Sequence, residues 1–274
     1  MIDRPFRSAA RYYRERPPYS ADLRAVLTAR LSWDGSGRLL DVGCGPGTVA
    51  LDLAPAFHEV VALDPEPEML AEGRAASTFE HVHWVEGGAE DIPGLGLGWF
   101  QAVTLGQSLH RTDRDRTLSI VHDVLQPGGA MLLIHHVVRG FGMPERPGVT
   151  FSAPRGPDGV PPIPYEVIWD AIERYTGYVP STPAADEERY GALLRRSVFG
   201  GCEELVLPGR ADVVRTPESV LAMFFSTSFA APARFGGRLD EFRAEILSAL
   251  RGLTKTGTFW DWPGDTEVLL ARRR

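Results

Sequence analysis

A carboxylate inside a short apolar run, followed at once by three alternating glycines, is the first place where this chain could do chemistry. The stretch is Leu39-Leu-Asp-Val-Gly-Cys-Gly-Pro-Gly-Thr-Val-Ala50, in which Asp41 carries the charge. Gly43, Gly45 and Gly47 leave the backbone without a Cβ, so it can turn sharply and lie close to a bound molecule. From Thr48 the pattern resumes at helical period, with Val49, Leu51 and Leu53 as its apolar positions. A strand, a glycine turn and a helix N-terminus in that order place unpaired amides at the carboxyl end of a parallel sheet. Open α/β sheets bind their ligands there. A second carboxylate, Asp64, closes the apolar run Val60-Val-Ala-Leu-Asp64. An acid at the tip of a second strand can accept both hydroxyls of a ribose. With Pro65 at a typical first helical position, Asp64 can equally cap the helix that follows.

Gly45-Pro-Gly-Thr-Val-Ala50 fits the dinucleotide pattern G-x-G-x-x-G/A. Two features turn it away from a pyrophosphate. Pro46 removes an N–H from the turn, and Asp41 repels phosphate lying over it. A carboxylate here suits a ligand with an ammonium or sulfonium charge. Asp-Val-Gly-Cys-Gly-Pro-Gly, with the acidic strand end at Asp64, resembles the S-adenosylmethionine (SAM) site of class I methyltransferases. The resemblance implies SAM as cofactor, S-adenosylhomocysteine (SAH) as product, and Asp41, Gly43, Cys44, Gly45, Asp64, Pro65 and Met69 among the cofactor contacts.

Later motifs extend the resemblance. The turn Gly87-Gly-Ala-Glu-Asp-Ile-Pro93 is similar to the family's adenine-framing turn but has Gly88 where an Asp often stands. Ala89 and Glu90 are therefore the expected contacts. Gly106-Gln-Ser-Leu-His-Arg-Thr-Asp113 resembles the loop that faces the methyl group, which implies Gly106 and Gln107 at the cofactor and His110 at the reacting centre. His110 would be a general base or would orient the acceptor; as a structural residue it would cap the helix near Asp113. His135 and His136 end the following strand and are alternatives for the base, one facing the cleft and one a helix. Leu125-Gln-Pro-Gly-Gly-Ala-Met-Leu-Leu-Ile134 resembles the family's L-x-P-G-G-x-hydrophobic motif. Tyr12-Tyr-Arg-Glu-Arg-Pro-Pro-Tyr19 resembles an amino-terminal segment that lies over the cofactor, with Tyr13 as an aromatic wall and Arg16 as a cation for the methionine carboxylate.

The elements that must position these residues alternate between periods of two and 3.6. Strands are expected at 39–42, 58–64, 81–86, 99–105 and 130–136, with Gln126-Pro-Gly-Gly129 as a turn, then at 203–207 and within 258–270. Helices are expected at 21–31, 113–125, 165–175, 186–199, 217–225 and 239–250. This predicts an α/β fold, and the resemblance implies a Rossmann-like, doubly wound seven-stranded sheet, mostly parallel with an antiparallel last strand, plus a helical lid insertion. One domain over 1–274 is expected, divided into a helical segment (1–35), a SAM-binding core (36–139), a lid carrying the acceptor pocket (140–200) and a part completing the sheet (201–274). Trp169, Tyr175 and Tyr178 could line that pocket or be plain core.

The 274 residues carry a net charge of −7, which gives no global field for nucleic acid. No apolar run approaches the ~18 residues of a membrane span, and the Arg-rich start has no signal-peptide core. Two cysteines give no disulfide framework. His81 and His83 share a strand face without an identifiable third ligand, so no metal is expected. The expected partner is a small-molecule acceptor rather than nucleic acid or membrane, with the chain cytoplasmic and a monomer or homodimer. Methyl transfer to O, N or C of a small molecule is the expected activity, and abundant Arg, Ala and Gly with scarce Lys suit a bacterial natural-product setting. The alternatives are a SAM-binding protein that does not transfer methyl and a nicotinamide-dependent reductase.

Overall fold

The structure, a computed structural model, describes residues 6–136, 155–179 and 190–274. The loop expected over 140–164 and the helix expected over 186–199 therefore lie partly outside the described residues. In chain order, a 3₁₀ turn (Ala10–Glu15) precedes α1 (Leu23–Leu31), β1 (Arg38–Val42), α2 (Thr48–Leu53), β2 (Glu59–Asp64), α3 (Pro67–Ala76) and β3 (Val82–Glu86). Next come α4 (Ile92–Leu95), β4 (Phe100–Gly106), α5 (Arg114–Val124), β5 (Leu125–His136), α6 (Tyr165–Thr176) and α7 (Tyr190–Arg196). The chain ends with β6 (Glu203–Leu207), β7 (Val214–Arg215), α8 (Pro217–Phe225), α9 (Leu239–Leu253), β8 (Phe259–Trp260) and β9 (Thr266–Arg272).

These elements group into two compact units. The sheet unit comprises Ala21–His135, Asp186–Leu207 and Thr266–Arg274. The helical unit comprises Met1–Ser20, His136–Ala185 and Pro208–Asp265. Of the segment expected to complete the sheet, only β6 and β9 do so, while 208–265 joins the helical unit. Phe259 and Trp260, expected in the closing strand, instead pair antiparallel with Arg215 and Val214. The run is broken by Pro263, which has no N–H for a ladder, and by Gly264 at φ 80°.

The seven-stranded sheet has the order β3-β2-β1-β4-β5-β9-β6. Strands β1 to β5 pair parallel, and β6 and β9 pair antiparallel. The chain runs outward from β1 to β3, then returns to place β4 on the other side of β1. That reversal opens a crevice at the carboxyl ends of β1 and β4, where ligands of such sheets lodge. The strands are near-continuous apolar runs because both faces of a parallel sheet are covered. Leu40, Val42, Leu63, Phe100, Val103 and Leu133 are buried together in one core cluster. The expected turn at Gln126–Gly129 is drawn into the start of β5, where the register with β4 shifts.

The helical unit has its own core. On α9, Phe242, Ile246 and Leu250 recur every four residues and are buried with Phe224, Phe225 and Phe235. Trp169 packs against Phe224, Phe229 and Tyr178, and the Tyr175 ring lies edge-on to Phe242. Thr216 caps α8 by accepting the Ser219 N–H, with Pro217 at the first helical position.

Candidate active site

The site grows from the ends of β1, β2 and β4 in the sheet unit. Asp41 stands opposite Thr104 across the β1–β4 ladder. The Thr104 hydroxyl donates to Asp41 Oδ1 at 2.7 Å, and the Ala50 N–H at the first turns of α2 donates to Oδ2 at 3.1 Å. Asp41 is only 1% exposed. The side chain ties β1, β4 and α2 together. Burial pushes its carboxyl up to about 7, against the opposing effect of those two hydrogen bonds.

The amides of the glycine turn are also committed. Gly43 and Cys44 donate to the Leu63 carbonyl at 2.8 and 3.0 Å, Gly45 donates to Asp64 Oδ2 at 2.8 Å, and Gly47 to the Cys44 carbonyl at 2.9 Å. The expectation of unpaired amides in the turn is thus wrong for these four. With Pro46 lacking an N–H, the turn itself offers a phosphate nothing to bind. Gly43 has φ 67°, and a Cβ there would stand 2.5 Å from Ser108 Cβ. Ser108 is held in turn by its hydroxyl donating to the Val42 carbonyl at 2.6 Å. A Cβ on Gly47 would meet the Trp84 ring at 2.5 Å. Cys44 is buried, and burial first, then Asp41 and Asp64, drives its thiol well above the usual range.

Asp64 is different. It accepts the Glu66 N–H on Oδ1 at 2.9 Å and the Gly45 N–H on Oδ2 at 2.8 Å, and it remains 8% exposed. An ionised carboxylate has about four acceptor positions, so about two remain for donors from a ligand. Burial is the main cause that raises its carboxyl. Pro65 is exposed and precedes the helix; α3 starts at Pro67 with Glu66 as its N-cap, so neither Pro65 nor Asp64 has the helix-starting role considered for it.

Met69 is buried on α3, and Ala89 is buried in the 3₁₀ turn Ala89–Asp91 after β3. Glu90 is half-buried and accepts the Asp113 N–H at 3.4 Å. Gly106 ends β4, and Gln107 follows with φ 56°, its N–H on the Ile134 carbonyl at 3.0 Å. A left-handed conformation at a non-glycine residue costs on the order of 1–3 kcal/mol and concentrates at functional sites.

The three histidines have different surroundings. His110 is exposed on the 3₁₀ turn Leu109–Arg111. It does not cap α5, because Asp113 does so by accepting the Arg116 N–H. His135 is 18% exposed; its Nε2 pairs with Glu267 of β9, and its ring meets Tyr190 of α7 edge-on at 5.7 Å. His136 belongs to the helical unit, stacked on Tyr19 at 4.8 Å with Nε2 3.2 Å from the Pro17 carbonyl. Tyr13 and Arg16 also lie in the helical unit, the guanidinium 4.7 Å above the Tyr13 ring and donating to the Ser226 carbonyl at 3.0 Å. His81 sits 3.1 Å from the Ala54 carbonyl and His83 is exposed. Among the described residues, no group of three or more His, Cys, Asp or Glu could hold a metal ion.

Thr104, Ser108 and Trp84 were not singled out by sequence. Thr104 carried a weak signal as the polar residue inside the apolar strand Ala102–Leu105. Ser108 and Trp84 carried none, because their roles depend on the approach of a glycine distant in sequence.

Residues 39–129 match the family described as "Methyltransferase domain". That span is thus similar to a methyltransferase domain. The matched span runs from β1 into β5 and contains the glycine turn, Asp64 and the loop after β4. An uncharacterized methyltransferase of Synechocystis is 38% identical to this chain over 100 residues, covering 35% of this chain and 46% of that protein. A ubiquinone/menaquinone biosynthesis C-methyltransferase of Rubrivivax gelatinosus is 35% identical over 97 residues, covering 35% of this chain and 38% of that protein. The chain thus spans less than half the length of these curated relatives. Among solved structures, a SAM-dependent methyltransferase from Geobacter sulfurreducens in complex with SAH shares the fold, with a TM-score of 0.54 at 15% identity over 100% of this chain and 99% of that one.

Proposed function

We propose that this chain binds SAM at the ends of β1, β2 and β4 and transfers its methyl group to an oxygen, nitrogen or carbon of a small molecule. The observation that carries the reading is Asp64: a carboxylate fixed by two backbone N–H groups, with acceptor capacity left for the two hydroxyls of a ribose. The turn beside it has spent its amides, so it suits a nucleoside without phosphates. Ala89 and Glu90 in the turn after β3 and Met69 on α3 would take the adenine side, with Gly106 and Gln107 toward the methyl group. When bound, SAM supplies a methyl group on a sulfonium, displaced in line by the acceptor.

The protein's share of the chemistry is then alignment of nucleophile, carbon and sulfur, worth up to roughly 7–11 kcal/mol in model reactions. A hydroxyl acceptor must also lose a proton. His110 has an exposed imidazole on the turn that follows β4. His110→Ala is expected to lower kcat by about 10²–10⁴-fold with a hydroxyl acceptor and to flatten the acid limb of the pH–rate profile. An unchanged profile would move the proton acceptor elsewhere.

The acceptor is read as a small molecule, in a natural-product setting and without nucleic acid or membrane. Support comes from the net charge of −7 and from helices none of which, among the described residues, is long and apolar enough to cross a membrane. The chain acts in the cytoplasm in this reading, as a monomer or homodimer. Calorimetric titration tests the cofactor assignment. SAH should bind saturably and NADH should not, and Asp64→Ala should weaken SAH by about tenfold to a hundredfold through loss of charge-assisted hydrogen bonds. SAH affinity unmoved by that substitution would refute the role given to Asp64.

A further inference from the structure

The helical unit contains a groove of about 570 Å³ that shares no residue with the glycine-turn site. Its walls come from the amino-terminal 3₁₀ turn, the first turns of α8, and α9. Three arginines reach it: Arg11, Arg14 and Arg243. The Arg11 guanidinium lies 4.7 Å above the Tyr12 ring and that of Arg243 5.8 Å above the Phe225 ring. Among the described residues, none of the three has a carboxylate within ion-pair distance.

Other arginines of this protein are matched to acids, and others again to backbone carbonyls, as Arg16 is to Ser226 and Arg273 to Asp123. Arg30 meets Glu203, Arg38 meets Glu59 and Arg196 meets Asp115, each at 2.6–2.7 Å. The groove does contain two carboxylates, but both are engaged. Glu15 accepts the Ser219 hydroxyl at 2.6 Å and lies 3.6 Å from Arg215. Glu218 pairs with Arg251 at 2.6 Å. In a chain of net charge −7, three unmatched cations meeting over one groove are not a by-product of a general surplus of positive charge.

We propose that this groove binds the phosphate group of a small phosphorylated molecule. A guanidinium presents N–H pairs in a planar fork that matches phosphate oxygens two at a time. Three such groups fit a dianion with three terminal oxygens better than a single carboxylate, which would leave at least one of them unmatched. The positive end of the α8 dipole adds to the attraction. The Tyr12 ring and the Ala222 methyl give the rest of the ligand an apolar surface, and the groove is of ordinary size for a small-molecule site. The inference stands independently of the methyl-transfer reading.

The test is calorimetry on the full chain at fixed ionic strength, with pyrophosphate as the probe and citrate and sodium chloride as parallel titrants. Pyrophosphate is expected to bind saturably at one site. Arg14→Gln and Arg243→Gln should each weaken it by about tenfold or more, with SAH binding unchanged. Arg14 is exposed, so its variant should fold; Arg243→Lys, which keeps the stem and the charge, stands in if Arg243→Gln does not. No saturable heat with pyrophosphate, binding that the arginine variants leave intact, or citrate binding as tightly would each overturn the proposal.

Discussion

Asp261→Ala is expected to lower the unfolding free energy by about 3–5 kcal/mol, the cost of leaving a buried charge without its partner. The Arg215 side chain is 5% exposed and that of Asp261 1%, with Arg215 Nε donating to Asp261 Oδ2 at 2.6 Å. The Tyr165 hydroxyl donates to Asp261 Oδ1 at 3.2 Å, and Arg215 Nη1 donates to Ser219 Oγ at 3.3 Å. The network therefore joins β7, the residue after β8, the start of α6 and the first turn of α8. Removing Asp261 leaves the buried guanidinium with only the more distant Glu15 carboxylate, 3.6 Å away. Removing both with Arg215→Met and Asp261→Leu exchanges a desolvated pair for apolar packing and should cost much less than the single change. Urea unfolding of the wild type and the two variants measures this. A single variant that loses less than about 1 kcal/mol, or a double variant as unstable as the single, would show that the pair does not carry this load.

Asp41→Asn is expected to stabilise the ligand-free protein at neutral and alkaline pH, by an amount that vanishes in acid. The folded protein holds the Asp41 carboxyl near 7, against an ordinary value of 3.8. Between those values the folded state binds a proton that the unfolded state has released. Wild-type stability therefore falls as pH rises through this window, by on the order of 4 kcal/mol in all. Above about pH 7 the folded state carries the full cost of a buried carboxylate. An asparagine has no charge to desolvate; its oxygen can accept the Ala50 N–H and its amide can donate to the Thr104 hydroxyl. Asp64, whose charge adds to the rise at Asp41, is present in both proteins, and the buried Cys44 thiol titrates above this range. The difference in urea midpoint between variant and wild type should be small at pH 4 and grow to its limit near pH 8. A difference that is flat across that range would rule out the proton assigned to Asp41.

The sheet was legible in the sequence because its strands are short apolar runs punctuated by glycine, proline and acids. The Rossmann-like order follows from alternation of those runs with helical periods. Positions set by one strand end and one turn, such as Asp41, Gly43 and Asp64, could be found without coordinates. Their hydrogen bonds could not. That Asp41 points at Thr104 depends on the β1–β4 register, and that the turn's amides are consumed depends on the Leu63 carbonyl of a neighbouring strand. His135 and His136 were ambiguous for the same reason, since a shift of one residue exchanges the two faces of β5. The division into units was also hidden: 208–265 contains helices and two-residue strands whose partners are chosen by tertiary packing of Phe224, Phe225 and Phe242, not by local pattern.

The helical unit draws its first piece from the very start of the chain and its other pieces from far downstream. Glu15 meets Ser219 across 204 residues, and Arg16 meets Ser226 across 210. During synthesis the leading segment leaves the ribosome long before its docking partners exist, and β1 to β5 are complete in the meantime. The parallel strands can thus begin to assemble while the leading segment waits undocked. Closing so distant a contact comes late because the intervening chain must first be ordered. A newly made chain consequently passes through a stage in which Tyr12, Tyr13 and their arginines are exposed to the cell, and the time spent there is set by the rate of translation.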